Sequence, residues 1–326
     1  MIKKALILGV TGQDGSYMAE LLLKKKYKVY GFYRKAATSN TVNIDHLINN
    51  KKIFNKNFFL IGGDLLDSNS ILNAISSSKP NEIYNFADQD HVRWSFTIPS
   101  YSFSVTTLGV LNVLECIRQS KFKIKYFQPT SSNMFGNTLK KSQNEKTEFK
   151  PMSIYALGKV SSYHLCRMYA EIYGMFICGS IFYNHESPRR TKEYVTKKIV
   201  TAVCKIAKKK QNLLYLGDID QGIDWGYAKD YVDASWKIMQ LKKPDFYVIG
   251  SGKLITVRTF AKKCFNYFNL DYRKYVKINK KLLRPSKTSN LRANFSKANK
   301  DFGFKPKTNI DKLIKIMIED EIKKID

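Results

Sequence analysis

The chain has 326 residues, 44% of them hydrophobic and 13% aromatic, which excludes global disorder and suits one large domain with a smaller appendage. Lysine and arginine outnumber aspartate and glutamate 56 to 27, a formal net charge of +29. Only 10 of the basic residues are arginine and the lysines spread over the whole length, so the clustered basic element of a nucleic-acid binder is missing and the charge reads as a solvated surface that can draw in an anionic substrate.

The first half alternates short apolar runs with helical spacing, the mark of a parallel α/β sheet. Strands are predicted over residues 5–8, 28–33, 58–62, 82–86, 124–128 and 176–183, and helices over 17–23, 105–117 and 155–172. After about residue 185 the rhythm weakens, with helices over 196–208, 257–268 and 310–325 and short strands at 212–216 and 246–249. The expected fold is α/β: a Rossmann-type doubly wound parallel sheet in residues 1–185 and a smaller substrate-binding α/β part in 186–326, with some chain exchanged between them. No Gly/Ser linker separates the two, so they should share a cleft.

Between the first strand and the first helix lies Gly9-Val-Thr-Gly12-Gln-Asp-Gly15. Glycines there permit a tight turn and let backbone N–H groups approach a pyrophosphate at a helix N-terminus, which makes Gly9, Thr11, Gly12, Gln13, Asp14 and Gly15 candidate cofactor ligands. An acidic residue at the end of the second strand would hold the adenosine ribose, whereas a basic one accommodates a 2′-phosphate. Arg34 and Lys35 stand there, favouring NADP over NAD. Asp64 and Leu65 after the third strand are placed to face an adenine, although Asp64 also reads as a simple turn aspartate.

Tyr155 and Lys159 lie one helical turn apart on one face. The ammonium is expected to lower the phenol pKa, so that a tyrosinate takes the proton of a sugar hydroxyl. Ser131, in Thr130-Ser131-Ser132 at the end of the fifth strand, is expected to hydrogen-bond the reacting oxygen.

With these motifs the chain resembles the extended short-chain dehydrogenase/reductases, specifically the GDP-mannose 4,6-dehydratase family. The segments 9–17, 85–92, 184–190 (ending in Arg189 and Arg190) and 224–231 are close to the family's own wording. The resemblance implies a tightly bound NAD(H) or NADP(H) lined by Arg34, Asp64, Leu65, Phe86, Ala87, Gln89, Tyr101, Tyr155, Lys159, His185 and Arg190. It implies a GDP-sugar held by Asn184, Val195, Lys198, Leu216, Gly217 and Arg284, and a homodimer or homotetramer with the helices at 105–117 and 155–172 packed across a two-fold axis. The implied chemistry is hydride removal from sugar C4, with Tyr155 accepting the hydroxyl proton. Glutamate-assisted loss of water across C5–C6 follows, and the hydride returns to C6.

The sequence departs from that pattern at the glutamate. The family's Ser-Thr-Ser-Glu reads Thr130-Ser131-Ser132-Asn133, so the candidate catalytic set is Tyr155, Lys159, Ser131, Ser132 and a non-titrating Asn133. Losing a positioned general base costs ~100- to 10,000-fold, enough to stop water loss while sparing hydride transfer. Ile223 and Lys287 also stand where the family has arginine and glutamate, and Asp88 and Asp90 where it has alanine and serine. The expected activity is oxidation at C4 of GDP-mannose or a GDP-manno-heptose to the 4-keto sugar without dehydration, serving surface-polysaccharide sugars, with a second oxidant such as a keto acid. The alternatives are a dehydratase with a displaced base, for which Glu115 and Glu171 lie outside the motif, a C4 epimerase, or a non-enzymatic Rossmann scaffold, against which the Tyr155–Lys159 pair argues.

Five scattered cysteines (Cys116, Cys166, Cys178, Cys204 and Cys264) form no CxxC pair, so neither a disulfide framework nor a metal site is expected. No stretch approaches the ~18 apolar residues that span a bilayer, and no leader precedes the first strand. A soluble cytoplasmic enzyme with neither membrane nor nucleic-acid partner is expected.

Overall fold

The computed structural model of the protein describes residues 2–283 and 288–325. Strands β1 (Lys4–Leu8), β2 (Lys28–Tyr33), β3 (Phe58–Gly62), β4 (Glu82–Asn85), β5 (Lys125–Ser131) and β6 (Ile177–Phe182) follow one another in the chain. They are succeeded by β7 (Asn184–Glu186), β8 (Leu214–Leu216), β9 (Gly222–Tyr227), β10 (Phe246–Ile249), β11 (Leu254–Thr256) and β12 (Val276–Ile278). Seven strands make one sheet in the order β10-β6-β5-β4-β1-β2-β3, every pair parallel. β4 and β6 are buried along their whole length, as strands covered on both faces must be. From β1 the chain steps outward to β2 and β3, then returns to β4 on the other side. That reversal opens a crevice at the carboxyl ends of β1 and β4.

Helices Gln13–Lys24 and Ala228–Met239 cover one face of the sheet around Met18, Leu22, Tyr231 and Ile238. Helices Ser68–Ser78, Gly109–Gln119 and Ile154–Tyr173 cover the other around Ile71, Val113, Leu114 and Cys166. The helix at 154–173 starts where the Ser153 side chain accepts from the Ala156 N–H and stops at Gly174, whose φ of +63° ends the helix in the left-handed region. The predicted helix over 105–117 begins earlier and is not uniform. A turn at Pro99–Phe103 runs into a wide π turn, Ser104–Leu108, before the α-helix Gly109–Gln119. Helix Ala228–Met239 and strand β9 are absent from the sequence-based prediction.

Helices Val195–Ala207, Val257–Asn266 and Ile310–Ile325 build a third core with Ile199, Val203, Phe260, Leu313 and Met317. The chain crosses back in between, since Ala228–Met239 packs on Gln13–Lys24 and β10 forms the edge of the main sheet. All five cysteines are free and buried. No helix among the described residues is long and apolar enough to cross a membrane.

The last helix is fastened by a charge. Glu321 lies 2.6 Å from the Lys197 ammonium, both side chains are 5% exposed, and Thr201 donates to the same carboxylate at 2.7 Å. Removing one partner of a buried pair strands the other charge. Glu321→Ala should therefore lower the unfolding free energy by about 3 kcal/mol in urea titration, with Lys197→Met, which removes the stranded charge, recovering part of the loss in the double variant.

Candidate active site

A cavity of about 600 Å³ opens at the carboxyl ends of β1, β4 and β5, and residues 11–14, 85–88 and 129–133 from those three strand ends line it. Its floor is the glycine turn. Gly9 adopts φ +78°, and a Cβ there would lie 2.6 Å from the Ala87 backbone nitrogen; one on Gly15 would lie 2.2 Å from the Gly9 carbonyl oxygen. Both positions are closed to any side chain. Gly12 meets only the Gly9 oxygen at 3.3 Å and faces the cavity. It caps the helix with no side-chain hydrogen bond, so the first-turn N–H groups stay available to an anion.

Tyr155 and Lys159 are buried together, the lysine nitrogen 5.7 Å from the phenol ring centre. The expected lowering of the phenol pKa does not result. Burial pushes it up to about 12, reinforced by Asp88 and Asp90 and only partly offset by Lys159 and a hydrogen bond with Ser131. Asp88 adds to the effect of burial, its carboxylate lying 2.5 Å from the Lys159 ammonium. Burial works to lower the lysine pKa, but Asp88 and the phenol outweigh it and hold the ammonium above its usual range. Lys159 also donates to the Pro129 carbonyl at 3.2 Å.

Asn133 faces the cavity beside this pair. Its amide nitrogen donates to Ser131 Oγ at 3.1 Å, and its backbone N–H donates to the same oxygen at 3.2 Å. Ser132 is buried next to it.

On the opposite wall His185 Nδ1 donates to the Tyr183 carbonyl at 2.8 Å, and Nε2 lies 2.7 Å from Asp14 Oδ2. Burial opposes the imidazolium, yet Asp14 outweighs it and raises the His185 pKa. Burial likewise opposes the carboxylate of Asp14, but His185 holds its pKa below the usual value. Gln13 donates to the His185 carbonyl at 3.2 Å. Arg190 sits 3.4 Å from both Glu186 and Asp90 and lies over the Tyr194 ring at 3.3 Å. Arg189, also on the cavity lining, donates to Ser16 and Glu20 on the first helix.

At the far end Asn184, Val195, Lys198, Leu216 and Gly217 line the same cavity, as do Phe86 and Ala87. The Lys198 pKa is lowered by burial and by the like charge of Arg93, a second cation on the wall that sequence reasoning missed although it directly follows the 85–92 segment. Ile223 also lines this end. Arg284, the remaining expected substrate residue, and Lys287 lie outside the described residues. Asp224 is a clasp: its carboxylate accepts from the N–H groups of Ser251, Gly252 and Ala293 and from the Ser251 hydroxyl, at 2.6–3.0 Å.

Seven expected cofactor residues are not on the cavity lining: Gly9 and Gly15, which shape its turn, and Arg34, Asp64, Leu65, Gln89 and Tyr101. Arg34, just beyond β2, donates to the Tyr101 hydroxyl at 2.5 Å on the surface. Asp64 accepts from the Leu66 N–H at 2.9 Å, the turn geometry, and Leu65 is buried. Gln89 is also away from the lining, accepting from Ser102 at 2.8 Å.

The Asp14–His185 pair has a definite pH window. The stability that His185 contributes is complete below pH about 6.5 and is lost as pH rises through its raised value; the contribution of Asp14 is present above about 3.9 and lost as pH falls through its lowered value. Asp14→Asn should bring the His185 midpoint down in imidazole NMR titration. Its stability deficit should be larger near pH ~6 than near pH ~9.

Known proteins place this geometry. The GDP-mannose 4,6 dehydratase family profile matches residues 6–317. GDP-mannose 4,6 dehydratase 1 of Arabidopsis thaliana is 40% identical over 325 residues, covering 98% of this chain and 90% of its own. The GDP-mannose 4,6-dehydratase of Yersinia enterocolitica is 43% identical over 263 residues, covering 80% of this chain and 71% of its own. Among solved structures, dTDP-glucose 4,6-dehydratase of Bacillus anthracis in complex with NAD superposes with a TM-score of 0.85 at 18% identity, covering 98% and 97% of the two chains. With its parallel sheet, its glycine turn and its paired Tyr155 and Lys159, this chain is an enzyme of the short-chain dehydrogenase/reductase type and belongs to the GDP-mannose 4,6-dehydratase family.

Proposed function

We propose that the enzyme oxidises C4 of a GDP-linked manno-configured sugar, a hexose or a heptose, and releases the 4-keto product without dehydrating it. Asn133 carries this reading. Its amide neither takes up nor releases a proton at neutral pH, and its nitrogen is engaged with Ser131. Four of the carboxylates on the cavity wall are committed elsewhere: Asp14 to His185, Asp88 to Lys159, Glu186 to Thr196 and Arg190, Asp224 to its four donors; Asp90, Glu193 and Asp218 also line it. Glu115 lies on an outer helix face, bonded to Arg118 and Tyr169. The names of the relatives support a GDP-sugar, and Lys198 with Arg93 offers positive charge for its pyrophosphate.

A nicotinamide dinucleotide fits the N-terminal part, residues 1–185, because Gly9 and Gly15 close the turn while Gly12 leaves its face open. When bound, that group supplies the hydride acceptor. Tyr155 exchanges the proton of the C4 oxygen, Ser131 hydrogen-bonds that oxygen, and Lys159 anchors the cofactor ribose. Residues 186–326 hold the nucleotide sugar. Without water loss no C6 alkene forms to take back the hydride, so turnover needs a second oxidant, such as a keto acid. The exposed Leu157, Met168 and Ile172 on the 154–173 helix, with Leu108 beside them, support a homodimer or homotetramer built on that face, working in the cytoplasm on sugars for surface polysaccharides.

With a GDP-manno-sugar deuterated at C4, label should reach the cofactor and not C6, and the product should be lighter than this substrate by one deuterium and one hydrogen. A product lighter by one water, with deuterium at C6, would establish a dehydratase with a displaced base. Asn133→Glu is expected to restore some dehydration.

The exposed Arg34 guanidinium supports NADP. Arg34→Ala should weaken NADP binding by ~1.5–3 kcal/mol, the size of a charged hydrogen bond, and leave NAD nearly unchanged in calorimetry.

A further inference from the structure

Asp88 is held on three sides. Its Oδ1 accepts from Thr106 Oγ1 at 2.6 Å and from the Gln89 N–H at 2.7 Å, and its Oδ2 lies 2.5 Å from the Lys159 ammonium. Thr106 belongs to the π turn, whose backbone is itself tied down by Ser162 donating to the Thr106 carbonyl at 2.5 Å. The carboxylate and the ammonium are 8% and 7% exposed, so water does little to screen one from the other.

We propose that Asp88 is a positioning residue that acts through Lys159 to weaken the support the ammonium gives to a Tyr155 tyrosinate. Five groups face the phenol: Lys159 from its own helix, Ser131 from the end of β5, Asp88 and Asp90 from the segment after β4, and Tyr194 from the segment before the 195–207 helix. Lys159 is the one cation among them, and it faces Asp88, Asp90, Tyr155 and the Pro129 carbonyl, with Cys166 further along the helix. Asp88 offsets part of the charge that would stabilise a tyrosinate. It also adds a repulsion of its own, in the same direction as burial. A phenol delivers a proton to a sugar carbonyl oxygen, whereas a tyrosinate takes one from a hydroxyl. On the proposed function, Asp88 therefore sets the site toward carbonyl protonation, and sugar oxidation draws on a small tyrosinate fraction that grows with pH.

The test uses the full-length protein with tyrosine carrying ¹³C at Cζ, the Tyr155 resonance being the one lost in Tyr155→Phe. Asp88→Asn should lower the Tyr155 titration midpoint by about one to three units, a ten- to thousandfold weaker hold on the proton. Asp88→Glu, which keeps the charge, should stay near the unaltered protein. An unchanged midpoint in a well-folded Asp88→Asn protein would overturn the proposal, as would a shift in Asp88→Glu equal to that in Asp88→Asn. If Asp88→Asn does not fold, Asp88→Ala takes its place. The NMR readout involves no sugar, so inactivity toward GDP-sugars would refute the proposed function alone. If the enzyme is active, its pH–rate profile for sugar oxidation should move to lower pH with the NMR midpoint.

Discussion

Burying a charge costs several kcal/mol unless an opposite charge meets it in good geometry, and the cavity of this enzyme shields three basic side chains, one buried and two nearly so. Lys159 meets Asp88 after β4, His185 meets Asp14 in the first helix, and Arg190 meets Asp90 after β4 as well as Glu186 four residues before it. Each pair works as a latch between elements that would otherwise meet only through loops. The segment after β4 is latched to the 154–173 helix, the first helix to β7, and the segment after β7 back to the one after β4. The positive charge of the surface imposes no such demand, because exposed lysines remain solvated and pairs between them and surface carboxylates contribute little.

The same pairing shapes the chemistry. In isolation a lysine one turn from a tyrosine makes the phenol a better base. Here the lysine's charge is already answered, and burial decides the outcome. Beside it, Asn133 keeps the shape of a hydrogen-bonding group without the capacity to titrate. A fold shared with a dTDP-glucose 4,6-dehydratase at 18% identity thus leaves the reaction to a handful of side chains. Function resides in the site and not in the sheet that carries it.

Local pattern made much of this legible. The glycine turn, the one-turn spacing of Tyr155 and Lys159, and the segment 130–133 each lie within a few consecutive residues, so they can be read without knowing what packs against them. The strands of the main sheet announced themselves as short apolar runs alternating with helical spacing, as in β1 and β6, which the sheet largely or wholly buries. The 228–239 helix was missed because its buried face mixes Ala228, Tyr231, Ser235 and Met239, a weak apolar stripe. The π turn at 104–108 was missed because a widened turn leaves no periodic signature.

By itself the sequence determined the parallel sheet, the glycine turn, the family and the presence of a non-titrating side chain at position 133, all consequences of short-range spacing and side-chain chemistry. Only the tertiary structure decided which charges neutralise which. Asp14 and His185 are 171 residues apart in the chain and 2.7 Å apart in space, and Asp88 reaches Lys159 only because β4 lies beside β5 and the π turn carries Thr106 to the carboxylate. Pairings of that kind follow from strand order and from the desolvation that packing imposes, neither of which is written at any single position.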